Sequence, residues 1–302
     1  MTKKNESIKN IGKGYTFIDL FAGIGGFHIA LHNLGAKCVF VSEFDKYARQ
    51  TYEHNFKKIV PELISSENFA GDITKIDEQD IPDFDILCAG FPCQPFSVAG
   101  YKKGFEDTRG TLFFDIARII EEKKPQAFIL ENVKGLFIHN NGQTLLRMKE
   151  VLESLGYSFF YKILRADDYG VPQNRQRLLM VGFREKEIDF KFPKPFPLQT
   201  TMSDILGGNC TKTIGYTLRV GGRGSGMGDR RNWDTYLVDG KEVRLRPEHA
   251  LKMQGFPADF HFPVSEAQAM KQLGNSVAIP MIQAVAEQVF ISLNKKKSDN
   301  SK

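Results

Sequence analysis

Short apolar runs alternate with amphipathic stretches over the first 185 residues of this 302-residue chain. Tyr15–Leu20 reads as a strand, and Gly26–Leu34 repeats its apolar positions at helical spacing. Cys38–Ser42 predicts a second strand and Lys46–Asn55 a second helix. Ile86–Ala89 predicts a buried strand. Leu112–Lys123 predicts a helix with Leu112, Ile116, Ile119 and Ile120 on one face. Ala127–Leu130 is the next apolar run and ends at Glu131. Gln143–Leu155 predicts a helix that stops at Gly156. Phe159–Leu164 and Leu178–Phe183 predict the last strands. Strands alternating with helices imply an α/β fold, a mostly parallel sheet covered on both faces.

The pattern breaks at Phe192-Pro193-Lys194-Pro195-Phe196-Pro197, a stiff linker. Short β-like pieces follow at Tyr216–Val220 and Tyr236–Val238, among many glycines. Helical periodicity returns at Pro247–Met253 and over Pro280–Leu293, and the polar tail from Lys295 is expected to fray. The expected organisation is an α/β domain over 1–190, a smaller glycine-rich, mainly β domain over 191–265, and a segment over 266–302 that returns to the first domain.

Charge adds a partner class. The formal net charge is +5, but residues 191–250 hold ten Lys or Arg against six Asp or Glu, together with nine of the 27 glycines. A basic, glycine-rich segment suits contact with a phosphate backbone through loops. Cys38, Cys88, Cys93 and Cys210 show neither metal-ligand nor redox spacing, and no disulfide framework is expected. His28 and His32 stand four apart without a third ligand, so no metal is expected. Met1–Gly14 is polar, and no apolar run approaches the roughly 20 residues that span a bilayer. A soluble, cytoplasmic location with no membrane contact is expected.

The candidate chemistry lies at strand ends. Phe91-Pro92-Cys93-Gln94-Pro95 puts a thiol between two prolines just after a buried strand, where open α/β sheets bind ligands. Cys93 is a candidate nucleophile, effective as its thiolate, with Arg175 and Arg177 as candidate cations to lower its pKa. Phe21–Gly26, with Gly23 and Gly25, follows the first strand and opens the first helix, the nucleotide position of a Rossmann-like unit. Glu43, ending the second strand, suits two ribose hydroxyls, and Asp72 suits an adenine amino group. This set fits a nucleoside ligand without pyrophosphate, such as S-adenosylmethionine. Glu131 ends an apolar strand, where burial would raise its pKa and let it donate a proton. The bland alternative is a helix N-cap. In Gln173-Asn174-Arg175-Gln176-Arg177, strand alternation aims both arginines at one face.

Together, and in this order, these stretches resemble the bacterial DNA cytosine-5 methyltransferases over nearly the whole chain. Asp19–Gly26 resembles the family's cofactor motif, and Pro92-Cys93-Gln94 its catalytic motif. Glu131-Asn132-Val133 and Gln173–Arg177 resemble the two motifs that hold the target base. Gly255-Phe256-Pro257 and Gln272-Leu273-Gly274-Asn275-Ser276-Val277 resemble the closing pair.

The resemblance implies a Rossmann-like methyltransferase sheet with a separate target-recognition domain. It implies methyl transfer from S-adenosylmethionine, released as S-adenosylhomocysteine, to carbon 5 of a cytosine flipped out of duplex DNA. Cys93 would attack carbon 6, while Glu131 and Arg177 hold the base. Cofactor contacts carry over to Phe21, Glu43, Phe44, Asp72, Ile73, Pro92, Leu112, Asn275 and Val277. Gln94–Thr111 resembles a closing loop. Ser97 and Arg109 in that loop are candidate DNA contacts, with Arg219, Arg223, Arg230, Arg231 and Trp233 in the recognition window beside the hallmark Thr217-Leu218. A modification role beside a separate restriction endonuclease, and action as a monomer, are also implied. Ala99 stands where the catalytic loop of a close family member has a serine, and His249 where the family usually has a glutamate. The alternatives are an RNA-acting cytosine-5 methyltransferase and a DNA-binding module without catalysis.

Overall fold

The computed structural model describes residues 10–92, 112–221 and 224–300, with side chains to 298. Cys93, Ser97, Ala99, Arg109 and Arg223, with the loop Gln94–Thr111, lie outside the described residues.

Seven runs of strand-forming sequence pair into one sheet: β1 (Thr16–Leu20), β2 (Lys37–Ser42), β3 (Phe69–Ala70), β4 (Ile86–Gly90), β5 (Ala127–Val133), β6 (Phe160–Arg165) and β7 (Gln176–Phe183). Their order is β3-β2-β1-β4-β5-β7-β6. The first five are parallel, and β7 inserts antiparallel between β5 and β6. Alternation sends neighbouring residues to opposite faces. Phe17, Ile86, Cys88 and Ile129 join one core, while Ile18, Leu87, Ala89 and Leu130 join the other. Both faces are covered, so these strands read as unbroken apolar runs.

Four helices fall where the periodicity places them: α1 (Gly26–His32), α2 (Lys46–Phe56), α3 (Leu112–Lys123) and α4 (Gln143–Ser154). Asp45 caps α2, accepting N–H bonds from Tyr47 and Ala48 at 2.9 and 3.0 Å. In α3, Ile116, Ile119 and Ile120 are fully buried, each contributing about 1.5–3 kcal/mol of burial.

The segment expected to be mainly β is less regular. It holds α5 (Met202–Leu206), the hairpin β8 (Thr235–Val238) and β9 (Lys241–Arg244), and α6 (Pro247–Gln254). The hairpin turns at Asp239-Gly240, both with positive φ, as a two-residue turn of the primed type requires. Tyr216–Val220 is not a strand. Its backbone donors go to side chains instead: Tyr216 N–H to the Tyr236 hydroxyl at 2.8 Å, and Leu218 N–H to Gln173 Oε1 at 3.1 Å. Met202, Leu218, Trp233, Tyr236 and Met253 from this segment join the first core without a break.

The chain ends in α7 (Glu266–Asn275) and α8 (Ile279–Asn300). Contrary to the expectation of fraying from Lys295, α8 continues to Asn300. Lys297 stacks over the Tyr15 ring at 3.9 Å, Lys296 pairs with Glu187 at 3.8 Å, and Asn294 donates to the Ile11 carbonyl at 3.0 Å. The apolar part of this C-terminal stretch is mostly buried inside the protein, as in a core helix.

Candidate active site

Strand order reverses between β1 and β4: from β1 the chain passes to β2 on one side, and later returns to β4 on the other. Ligands of open α/β sheets bind at such a switch point, beyond the carboxyl ends of the strands. A cavity of about 700 Å³ lies at these strand ends.

The first wall is the glycine turn. Phe21 takes a positive φ of 56°, an outlier for a bulky residue and a form of strain that clusters at functional sites. Gly25 has φ 85°, and a Cβ there would lie 2.5 Å from the Phe56 ring. Only glycine fits that position. Beside the turn, Glu43 accepts N–H bonds from Gly23 at 2.6 Å and Asp45 at 2.7 Å, which leaves carboxylate lone pairs unused. Burial raises the Glu43 pKa, and these bonds oppose the rise. Phe44 is 77% exposed yet lines the cavity, an unused aromatic face suited to a flat base. An acceptor for two ribose hydroxyls beside such a face fits a nucleoside methyl donor.

The second wall is β5 with β7. Glu131 lies within β5 rather than at a helix start, which removes the capping alternative. Gly90 is its neighbour on β4, and Arg177 on β7 is two residues from its antiparallel partner Leu179. That diagonal brings Arg177 Nε to 2.7 Å from Glu131 Oε1, both side chains being about 10% exposed. Oε1 nevertheless receives no hydrogen bond among the described residues, because the close approach lacks hydrogen-bond alignment. A buried carboxylate with open acceptor capacity thus faces the cavity, countered by Arg177. Asn132 anchors the neighbouring loop, donating to the Phe91 carbonyl at 2.9 Å. Pro92, the last described residue before Cys93, lines the cavity.

The third wall joins Leu112 to the chain around Asn275 and Arg219. Gly274 packs so tightly on the Arg219 backbone that a Cβ would come within 2.7 Å.

Among the expected cofactor contacts, Phe21, Gly23, Glu43, Phe44, Pro92, Leu112 and Asn275 line the cavity, while Gly25, Asp72, Ile73 and Val277 do not. Asp72 spends Oδ1 on the Thr74 N–H and hydroxyl at 3.1 and 2.8 Å, and Ile73 is buried in the second core. Val277 packs under Gly26 and supports the turn from below.

Two expectations need correction. Arg175 does not line the cavity beside Arg177: it precedes β7 and is 1% exposed. Its guanidinium donates to the carbonyls of Leu218 (3.3 Å), Gly274 (3.1 Å) and Ser276. It is a clamp between the 191–265 segment and the cavity rim. Trp233 is also 1% exposed and gives its indole N–H to Gly221 O at 3.0 Å, so it anchors a loop and is unavailable to DNA. Arg219 is at the cavity, and Arg230 and Arg231 are exposed.

Buried amides carry roles that apolar periodicity does not signal. Gln173 bonds both Leu218 N–H and the Met253 carbonyl, and Gln254 donates to the Leu273 carbonyl at 2.9 Å. A polar residue in apolar surroundings was the available sign. Lys271 and Asp45, paired at 3.5 Å, also line the cavity. Burial raises Asp45, but the Ala48 and Tyr47 N–H bonds and Lys271 lower its pKa overall.

The departure at His249 is absorbed locally. Its Nδ1 accepts the Arg246 N–H at 3.1 Å, the capping bond a glutamate would make there. His28 is a core residue: fully buried, with its Nδ1 against the Tyr52 hydroxyl and its ring 4.4 Å from that of Phe56. Burial, with the nearby His32, lowers its pKa to about 3.

Comparison with known proteins agrees with this geometry. The family described as C-5 cytosine-specific DNA methylase matches residues 15–222 and 225–291. The chain is 43% identical to Type II methyltransferase M.HhaI of Haemophilus parahaemolyticus, over 94% of this chain and 96% of that protein. It is 45% identical to Type II methyltransferase M.NlaX of Neisseria lactamica, over 93% and 97%. Among solved structures, a mutant DNMT2 of Spodoptera frugiperda superposes with a TM-score of 0.71 at 20% identity, over 92% of this chain and 100% of that one, a likeness of fold. The chain belongs to the C-5 cytosine-specific DNA methylase family and is a DNA (cytosine-5) methyltransferase.

Proposed function

We propose that this enzyme takes its methyl group from S-adenosylmethionine and modifies a cytosine flipped out of a short duplex DNA site. The observation that carries this reading is the Glu131–Arg177 pair on the wall of the cavity that also holds the glycine turn. Glu43 would accept the ribose hydroxyls and Phe44 would stack on the adenine. When bound, S-adenosylmethionine supplies an electrophilic methyl group for carbon 5 and leaves as S-adenosylhomocysteine.

Cytosine is unreactive at carbon 5 until carbon 6 is attacked. The Cys93 thiolate adds at carbon 6, which makes carbon 5 an enamine-like nucleophile. Glu131 accepts from the exocyclic amine and, by donating a proton to ring nitrogen 3, draws electrons toward its own side of the ring. Arg177 binds the base carbonyl, where negative charge develops. Loss of the carbon 5 proton then expels Cys93 and restores the ring. Residues 191–265 serve as the DNA-reading part, with Arg175 and Gln173 tying it to the catalytic wall. The names of the Type II relatives support a modification role; a separate restriction endonuclease, action as a monomer and a bacterial cytoplasmic location complete the proposal.

Bisulfite sequencing of DNA from a methylation-free host expressing the chain tests this. Conversion-resistant cytosines confined to one short motif are expected. Complete conversion with soluble protein present would reject the DNA substrate, and methyl transfer to RNA at matched salt would then favour the RNA-acting alternative.

A further inference from the structure

The stretch from Val220 to Trp233 has no regular structure among its described residues, yet its far end is fixed. Trp233 closes the base on Gly221, and Gly224 N–H reaches Asp234 Oδ2 at 3.4 Å. Two successive turns carry the chain around the tip: Asp229 N–H to Gly226 O and Asn232 N–H to Asp229 O, both at 2.9 Å. Asn232 then fixes the exit, its Oδ1 accepting the N–H groups of Asp234 and Thr235 at 3.2 and 3.0 Å. The stretch begins at the cavity rim, which Arg219 and Val220 line.

At the tip, Arg231 is paired side-on with Asp229. Nε lies 3.1 Å from both carboxylate oxygens, and Nη2 lies 2.6 Å from Oδ2. Oδ1 also accepts the Arg231 N–H at 2.8 Å. The side chain is 75% exposed. A side-on pair occupies Nε–H and one Nη2 hydrogen, and leaves the two Nη1 hydrogens and the other Nη2 hydrogen in a fixed fork. That end-on edge matches the paired acceptors O6 and N7 that guanine presents in the major groove.

Charge separates this role from phosphate holding. A carboxylate in contact offsets the guanidinium charge, which weakens attraction to a phosphate. It leaves the directional donors intact, and base readout depends on those. Hydrogen bonds from Arg231 lower the Asp229 pKa to about 2, in keeping with the pairing.

We infer that Arg231, oriented by Asp229, reads a guanine of the target site from the major groove; this rests on the DNA-methylating role proposed above. Selection of bound duplexes from a randomised pool tests it with wild type, Arg231→Ala and Asp229→Asn, alongside binding titrations over salt. Wild type is expected to require a guanine at one position. Arg231→Ala loses about 10- to 100-fold discrimination there and keeps its other preferences. Asp229→Asn relaxes the same position to a smaller extent. In Arg231→Ala the salt slope stays near that of wild type, while Asp229→Asn uncovers the guanidinium charge and steepens it. Unchanged preferences in both variants would overturn the assignment. So would loss of affinity on all sequences equally with a salt slope reduced by about one, the mark of a phosphate contact. Both substitutions are at a loop tip, and equal melting temperatures verify that the fold is kept. The readout is binding, so failure of this assignment and failure of the methylation role are separate results.

Discussion

The wall built by β5 and β7 and the proposed recognition stretch around Val220–Trp233 solve opposite problems. The wall carries Glu131 and Arg177 on neighbouring strands, where sheet register fixes their separation and two cores hold the strands. The recognition stretch carries exposed arginines on a loop with few anchors: Trp233 at its base, and Asp229 and Asn232 near its tip. Chemistry at a base needs sub-ångström placement, which strands supply. Sequence readout needs a surface that varies without disturbing the core, which a tethered loop supplies.

The contrast breaks first at Glu131. Glu131→Gln keeps the shape and removes the charge, and turnover should fall about 10²- to 10⁴-fold while cofactor affinity is retained. Single-turnover methyl transfer with a parallel cofactor titration checks this; equal loss of both would place Glu131 in general support of the cavity. On the loop side, Trp233→Ala should cost about 3–5 kcal/mol by emptying a buried site. Chemical denaturation reads that loss, and a mere change of sequence preference at full stability would contradict the anchoring role.

Two arginines two residues apart mark the boundary between the regions. Arg175→Met removes a donor from the buried carbonyls of Leu218, Gly274 and Ser276; Ser276 keeps the Gln254 amide at 3.4 Å, and each carbonyl left unpaired costs about 1–3 kcal/mol. Stability should fall, and cofactor and DNA affinity should fall together, because both rims lose the same clamp. Retained affinity for both ligands at lowered stability would make Arg175 a fold residue alone.

The parallel strands, their helices and the glycine turn were legible because each rests on local apolar pattern and backbone conformation. Glu131 and Arg177 were legible as polar residues in or beside apolar strands. Burial of Arg175 was not legible because its carbonyl partners, Leu218, Gly274 and Ser276, lie far away in sequence. Trp233 was misread because an aromatic residue in a basic segment looks the same whether it anchors a loop or contacts DNA. Its bond to Gly221 is tertiary and leaves no periodic trace. The helical tail beyond Lys295 depends likewise on Tyr15 and Glu187, far away in sequence.

A smaller effect sharpens the cofactor side. Burial raises the Glu43 pKa above its ordinary 4.5, and ribose binding requires the ionised form. Cofactor affinity should therefore weaken as pH falls through that raised value, earlier than an ordinary glutamate would cause. Isothermal titration across pH checks this, and Glu43→Gln should bind weakly with no such dependence. A wild-type curve parallel to that of Glu43→Gln would remove the carboxylate from binding.

Covalent trapping tests the central claim most directly. A duplex carrying 5-fluorocytosine at the methylated position cannot lose its carbon 5 substituent as a proton, so the adduct formed on attack at carbon 6 persists after methyl transfer. Wild type with S-adenosylmethionine should give a denaturation-stable protein–DNA complex, and Cys93→Ser should give none while still binding cofactor. A stable complex with Cys93→Ser, or wild-type turnover in that variant, would contradict the account.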